Sequence, residues 1–155
     1  MIEEILEAWR INNRVNFRLI EHISDEGMGC TLSKRGGRNV VRQFVHMHYV
    51  RIYQLTRRAK PLAKGARRFA TKDEPDRTIL TAALQDSSQR IEQWFRLANE
   101  GVPHIRTFKR GLVPTVAYLI AHESHHRGSI LLTLKQCGHA VDESVRYGIW
   151  DWNNI

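Results

Sequence analysis

The chain reads as an all-α protein, a four-helix bundle over a single domain of 155 residues. Two observations predict it. Four long segments repeat apolar residues at helical spacing, each bounded by a start or stop signal, and no run alternates apolar and polar residues in the manner of a half-buried strand. Four such helices in one domain pack as a bundle of antiparallel helices, and the long 60–75 connection can serve as a crossover.

The first helix covers about residues 2–24. Ile5, Leu6, Trp9, Val15, Phe17, Leu19 and Ile20 give it an apolar stripe, and Asp25-Glu26-Gly27-Met28-Gly29 ends it. The second runs from Asn39, a helix-capping residue type, to Ala59, just ahead of Pro61. A linker with Pro61, Gly65 and Pro75 follows. The third helix starts near Asp76 and continues through Ile79, Leu84, Ile91, Trp94 and Leu97 to Gly101. The fourth opens at Val113-Pro114, where proline suits a first turn, and stops at Cys137-Gly138, where glycine suits the position after the cap. In the tail from Asp142 to Ile155, Trp150 and Trp152 argue against disorder and are expected to pack over the bundle or across an interface.

Composition narrows the class. The chain is 42% hydrophobic and 26% charged, ordinary for a globular protein, and its apolar runs are too short to span a membrane. The acidic, amphipathic start lacks the basic-then-apolar order of a signal peptide, so a cytoplasmic location is expected. Cys30 and Cys137 have no Cys-x-x-Cys pattern and suggest neither a disulfide framework nor a thiolate metal site; two unpaired, partly buried thiols are expected. A net charge of +8, from 18 Arg and 6 Lys against 16 acidic residues, invites nucleic acid or anionic ligands. The positive residues are spread along the chain, however, and no recognition-helix, finger or aromatic-basic strand motif accompanies them. The one dense stretch, Arg57 to Arg68, reads as a solvated linker with helix-end cations.

The chemistry concentrates in Ala121-His122-Glu123-Ser124-His125-His126-Arg127-Gly128. His122 and His126, four apart, project from one helix face about one turn apart. Imidazoles so placed can hold one metal ion at roughly 2.0–2.1 Å. His125 is turned by about 100° and is expected to hydrogen-bond or face solvent. A third ligand must come from a facing helix, and the second offers His46 and His48. These differ by about 200° around the axis, so both cannot face one ion. Pattern alone favours His48, which lies on the stripe of Val41, Phe44, Val45, Ile52 and Leu55. The literal His-Glu-x-x-His of zinc peptidases is present, but Ser129 stands where the longer peptidase motif needs glycine, and no strand is available to bind a peptide.

Val40-Val41-Arg42-Gln43-Phe44-Val45-His46-Met47, with Val50, Tyr53 and Leu55 beyond it, resembles the second-helix motif of the DinB/YfiT-like family. Ala121 to Ile130 resembles that family's fourth-helix signature, with Ser129 and Gln43 departing from the common pattern. The resemblance implies a bundle of DinB type holding one divalent metal ion through His46, His122 and His126, with His48 the rival for the first ligand. Three neutral imidazoles suit Zn, Ni or Fe and leave coordination positions open. It also implies an enzyme of the thiol-dependent S-transferase or isomerase type, or a hydrolase, using a low-molecular-weight thiol, and a homodimer. Glu123 is expected to steady a ligand imidazole or to act as an acid/base. The other classes are a non-catalytic stress-response or binding module with a structural or vestigial metal site, and a basic nucleic-acid-binding protein.

Overall fold

The computed structural model describes residues 1–155. Four long helices carry the fold: α1 (Ile2–His22), α3 (Val40–Arg58), α5 (Arg77–Asn99) and α6 (Leu112–Gln136). Three short ones lie between or after them: α2 (Asp25–Met28), α4 (Lys60–Ala63) and α7 (Glu143–Gly148). There is no strand beyond one isolated bridge between Phe108 and Gly111.

The helix ends follow local chemistry. Asn39 Oδ1 accepts from the Arg42 amide (3.1 Å) and Asp76 Oδ1 from the Ile79 amide (2.8 Å), each satisfying a donor that the first turn leaves open. At the end of α6, Gly138 takes φ +79°, and the His139 amide reaches back to the Leu134 carbonyl (2.9 Å). That is the closure a left-handed glycine permits. The segment expected only to end the first helix forms α2, because Ser24 Oγ accepts from the Gly27 amide. Gly27 itself lies against Leu134, where a Cβ would come within 2.9 Å. The linker is likewise interrupted by α4, with Pro61 in its first turn.

Two apolar clusters fix how the helices run. One joins Leu19 and Ile20 of α1 to Val40 and Phe44 of α3, Leu80 and Leu84 of α5, and Ile130 and Leu134 of α6. The other joins Leu6 and Trp9 to Ile52 and Leu55, Ile91 and Trp94, and Val116 and Leu119. Thus α1 and α6 run one way while α3 and α5 run the other. Not every neighbouring pair is antiparallel: α3 and α5 are packed parallel neighbours, which is why a long crossover must join them. Around the bundle the order is α1, α5, α3, α6.

Between the clusters lies a buried polar layer. Arg51 is 0% exposed and Glu123 1%. Arg51 Nε and Nη2 donate to Glu123 at 2.6 and 2.9 Å, and Asn12 and Asn16 donate to the same carboxylate at 2.7 and 2.8 Å. The two asparagines accept in turn from Arg127 Nη1. Burial alone would push the Glu123 carboxyl up, but the Arg51 charge and its hydrogen bonds outweigh it and hold the group below its ordinary value.

The tail is anchored by Val145 and Ile149, both buried, and by Arg14 Nε, which donates to the Ile155 carbonyl (3.0 Å). The tryptophans are not the anchors. Trp150 is 71% exposed and Trp152 41%, and both rim an apolar cavity of about 650 Å³ floored by Val15, Ile120 and Leu131.

Candidate metal centre

Because α3 and α6 pack antiparallel, residues near the middle of each meet. His46 projects from α3 toward α6, while His122 and His126 project from successive turns of α6 toward α3. Ligand atoms of the three lie within 4.8 Å of one another, a group that could hold a metal ion. Ring centroids are 5.4 Å apart for His46–His122, 4.9 Å for His46–His126 and 4.7 Å for His122–His126. All three rings are half-buried.

The chemistry of the donor set fits a divalent ion. Nδ1 of His122 is buried with no hydrogen-bond partner, a state that buried polar atoms rarely tolerate. Burial, then the Arg38 charge and His122, push the His46 ring down to about 4. Burial and the neighbouring imidazoles bring His126 to about 4 as well. His122 is lowered chiefly by burial, with the nearby Glu123 charge opposing. The three are therefore neutral at physiological pH, the form in which imidazole ligates.

His48 lies on the opposite side of α3 and is 1% exposed. Its Nε2 donates to the Arg67 carbonyl (2.8 Å) and its Nδ1 sits 3.1 Å from Ser87 Oγ. Both ring nitrogens are thus engaged in the core, so the apolar stripe that favoured His48 marks a packed histidine and not a member of the cluster. His125 is exposed, with its ring 5.3 Å from that of His126. Glu123 also departs from expectation. One residue beyond His122, it points into the buried layer, where Arg51, Asn12 and Asn16 take up its oxygens. It hydrogen-bonds no ring of the cluster.

The surroundings contain residues that sequence reasoning did not single out. A cavity of about 350 Å³ has His46 in its wall, together with Arg38, Arg42, Tyr49, Phe69 and Thr71. Arg42 Nε donates to the Thr71 carbonyl (3.3 Å), and neither Arg38 nor Arg42 is paired with a carboxylate. The Arg38 charge acts on all three rings. Tyr49 stacks on His46 and Tyr118 on His122, at 6.1 and 6.4 Å. Part of this was visible in spacing: Arg42, His46 and Tyr49 follow one another at i, i+4 and i+7 along one helix face.

No helix is long and apolar enough to cross a membrane. No curated protein sequence matches the chain. The model of the DinB family matches residues 1–147, and with its motifs and helical bundle in agreement the chain belongs to the DinB family.

Proposed function

We propose that this protein is a metal-dependent enzyme of the thiol S-transferase or isomerase type, with His46, His122 and His126 holding one divalent ion of zinc, nickel or iron. The observation that carries the reading is a three-histidine group with no fourth protein ligand, opening beside a cationic cavity. A site kept for structure is closed by a fourth ligand, whereas a catalytic one keeps a position free. A bound ion there supplies Lewis acidity that favours the thiolate form of a coordinated thiol.

The chain's own residues supply the rest. The neutral rings are ready to ligate without first losing protons. Arg38 and Arg42, free of carboxylate partners, draw an anionic small molecule into the cavity, because guanidinium pairs bidentately with carboxylate. Tyr49 and Tyr118 brace the outer faces of two ligand rings. Neither cysteine belongs to the histidine group, so the thiol arrives on a small molecule. That supply accords with a cytoplasmic location. We further propose that two copies associate through the apolar cavity rimmed by Trp150 and Trp152.

The test is elemental analysis of protein purified without a histidine tag, followed by Co²⁺ substitution and titration with 2-mercaptoethanol and 3-mercaptopropionate. One metal per chain and a sulfur-to-cobalt absorption band are expected, with the carboxylate thiol binding more tightly. A tightly held metal whose spectrum no thiol alters would instead support a structural site. Absence of metal binding would overturn the reading.

A further inference from the structure

We propose that Cys30 and Cys137 are a redox pair, converted to an intramolecular disulfide by exchange with a small-molecule disulfide, and that the bond fastens the segment bearing Arg38. The two cysteines stand at opposite ends of the sequence order, yet the fold brings them to one end of the bundle. Cys30 follows α2, and Cys137 caps α6. Cys137 Sγ lies 3.9 Å from the carbonyl of Thr31, the residue next to Cys30. The Cys137 thiol is near enough to help raise the Cys30 thiol above its ordinary value. Both are free and only partly buried, so a small disulfide can reach them.

The segment between Cys30 and Val40 is a closed loop tied at its base. The Val40 amide donates to the Cys30 carbonyl (3.0 Å), and the Thr31 hydroxyl donates to the Arg38 carbonyl (3.3 Å). Cys137 touches this base, and Arg38, carried on the loop, lines the same cavity as His46. A bond from Cys30 to Cys137 therefore pins the loop to the end of α6, while reduction leaves it held by hydrogen bonds alone.

The exchange balances in two steps. One protein thiolate attacks a sulfur of the small disulfide; its S–S bond breaks, and one small thiol leaves, taking up a proton. The second protein thiolate then attacks the protein sulfur of the mixed disulfide, forming the Cys30–Cys137 bond and releasing the second small thiol. The protein loses two electrons and the small disulfide gains them. Burial and the neighbouring thiol push Cys30 up, and Cys137 sits at the negative end of α6. The raised Cys30 thiol is a slow nucleophile, so the pair responds to sustained oxidation and not to brief exposure. The linkage would close a loop spanning most of the chain, and should raise the melting temperature on the order of 10 °C.

The experiment incubates reduced full-length protein with bis(2-hydroxyethyl) disulfide, then blocks remaining thiols with N-ethylmaleimide before intact-mass and peptide analysis. A monomer lighter by two hydrogens is expected, unlabelled by maleimide, with the Cys30 and Cys137 peptides joined until dithiothreitol is added. Cys30→Ser and Cys137→Ser should each stop at the mixed disulfide. The proposal is overturned if the wild type also stops at the mixed disulfide, if both thiols remain open to maleimide, or if the bond forms between chains.

Discussion

His46 and His48 are two residues apart, and the structure gives them opposite properties, so alanine substitutions at the two should give crossed results. His48 is 1% exposed and engages the Arg67 carbonyl and Ser87. Replacing it removes two hydrogen bonds at about 1 kcal/mol each and leaves a void where the ring packed, for a loss of roughly 2–4 kcal/mol. In a chain of this size that lowers the melting temperature by about 4–16 °C. His46 is half-buried and carries a ring whose neutral form is already favoured. His46→Ala should move the metal-free melting temperature by only about 2 °C.

Metal reverses the ranking. An ion that binds only the native state at about a hundred times its Kd stabilises by roughly 2.7 kcal/mol, or about 5–11 °C here. Wild type and His48→Ala should show that gain with Zn²⁺, and His46→Ala should not. The assay is thermal melting of tag-free protein in chelator and in Zn²⁺, with elemental analysis of the same samples. If a folded His48→Ala variant binds no metal while His46→Ala binds it normally, the assignment of the two histidines is wrong.

Three further outcomes follow from other parts of the molecule. Glu123→Ala strands the buried Arg51 charge and should cost about 3–5 kcal/mol in urea unfolding, with part of that recovered when Arg51→Met is added; an unchanged midpoint would refute the role given to this pair. In metal-free protein, His46 and His126 stay neutral down to about pH 4 while the unfolded chain protonates its histidines near 6.5. The unfolded state then binds more protons, so stability should fall as pH drops from about 6.5 toward about 4, and a melting temperature flat across that window would contradict it. Sedimentation at micromolar concentration should give twice 18.1 kDa, and a monomer would remove the proposed dimer.

What the sequence made legible is what short-range chemistry decides. Asn39, Asp76 and Gly138 bound their helices because capping is settled within a few residues. The His122–His126 pair was readable because a single helical turn sets its geometry. The choice between His46 and His48 was not, because α3 is buried on two sides, against α5 and α6. The stripe that carries His48 faces α5 and the linker, where Ser87 and the Arg67 carbonyl engage the ring, and His46 on the other flank is the one that meets α6. The family motif carried the information that periodicity lacked. Arg51, Asn12 and Asn16 sit among ordinary polar positions in the sequence, and only the pairing with Glu123 reveals them as core. The size of Trp150 and Trp152 points to packing over the bundle or across an interface, and within the chain the smaller Val145 and Ile149 anchor the tail. The meeting of Cys30 with Cys137 depends on the whole topology and has no local trace.

The layer of Arg51, Glu123, Arg127, Asn12 and Asn16 has a consequence for alignment. Apolar side chains alone allow helices to slide against each other, since one leucine packs about as well as the next. A slip of α6 by one turn past α3 would replace Glu123 with Leu119 or Arg127 opposite Arg51, stranding a charge at a cost of several kcal/mol. The layer thus acts as a detent that fixes the axial position of α6. His122 is the residue immediately before Glu123, so the same detent sets the height at which the imidazoles of α6 meet His46. Coordination tolerates errors of only about 0.2 Å, and an ion pair facing away from the histidines supplies the rigid reference against which they are placed.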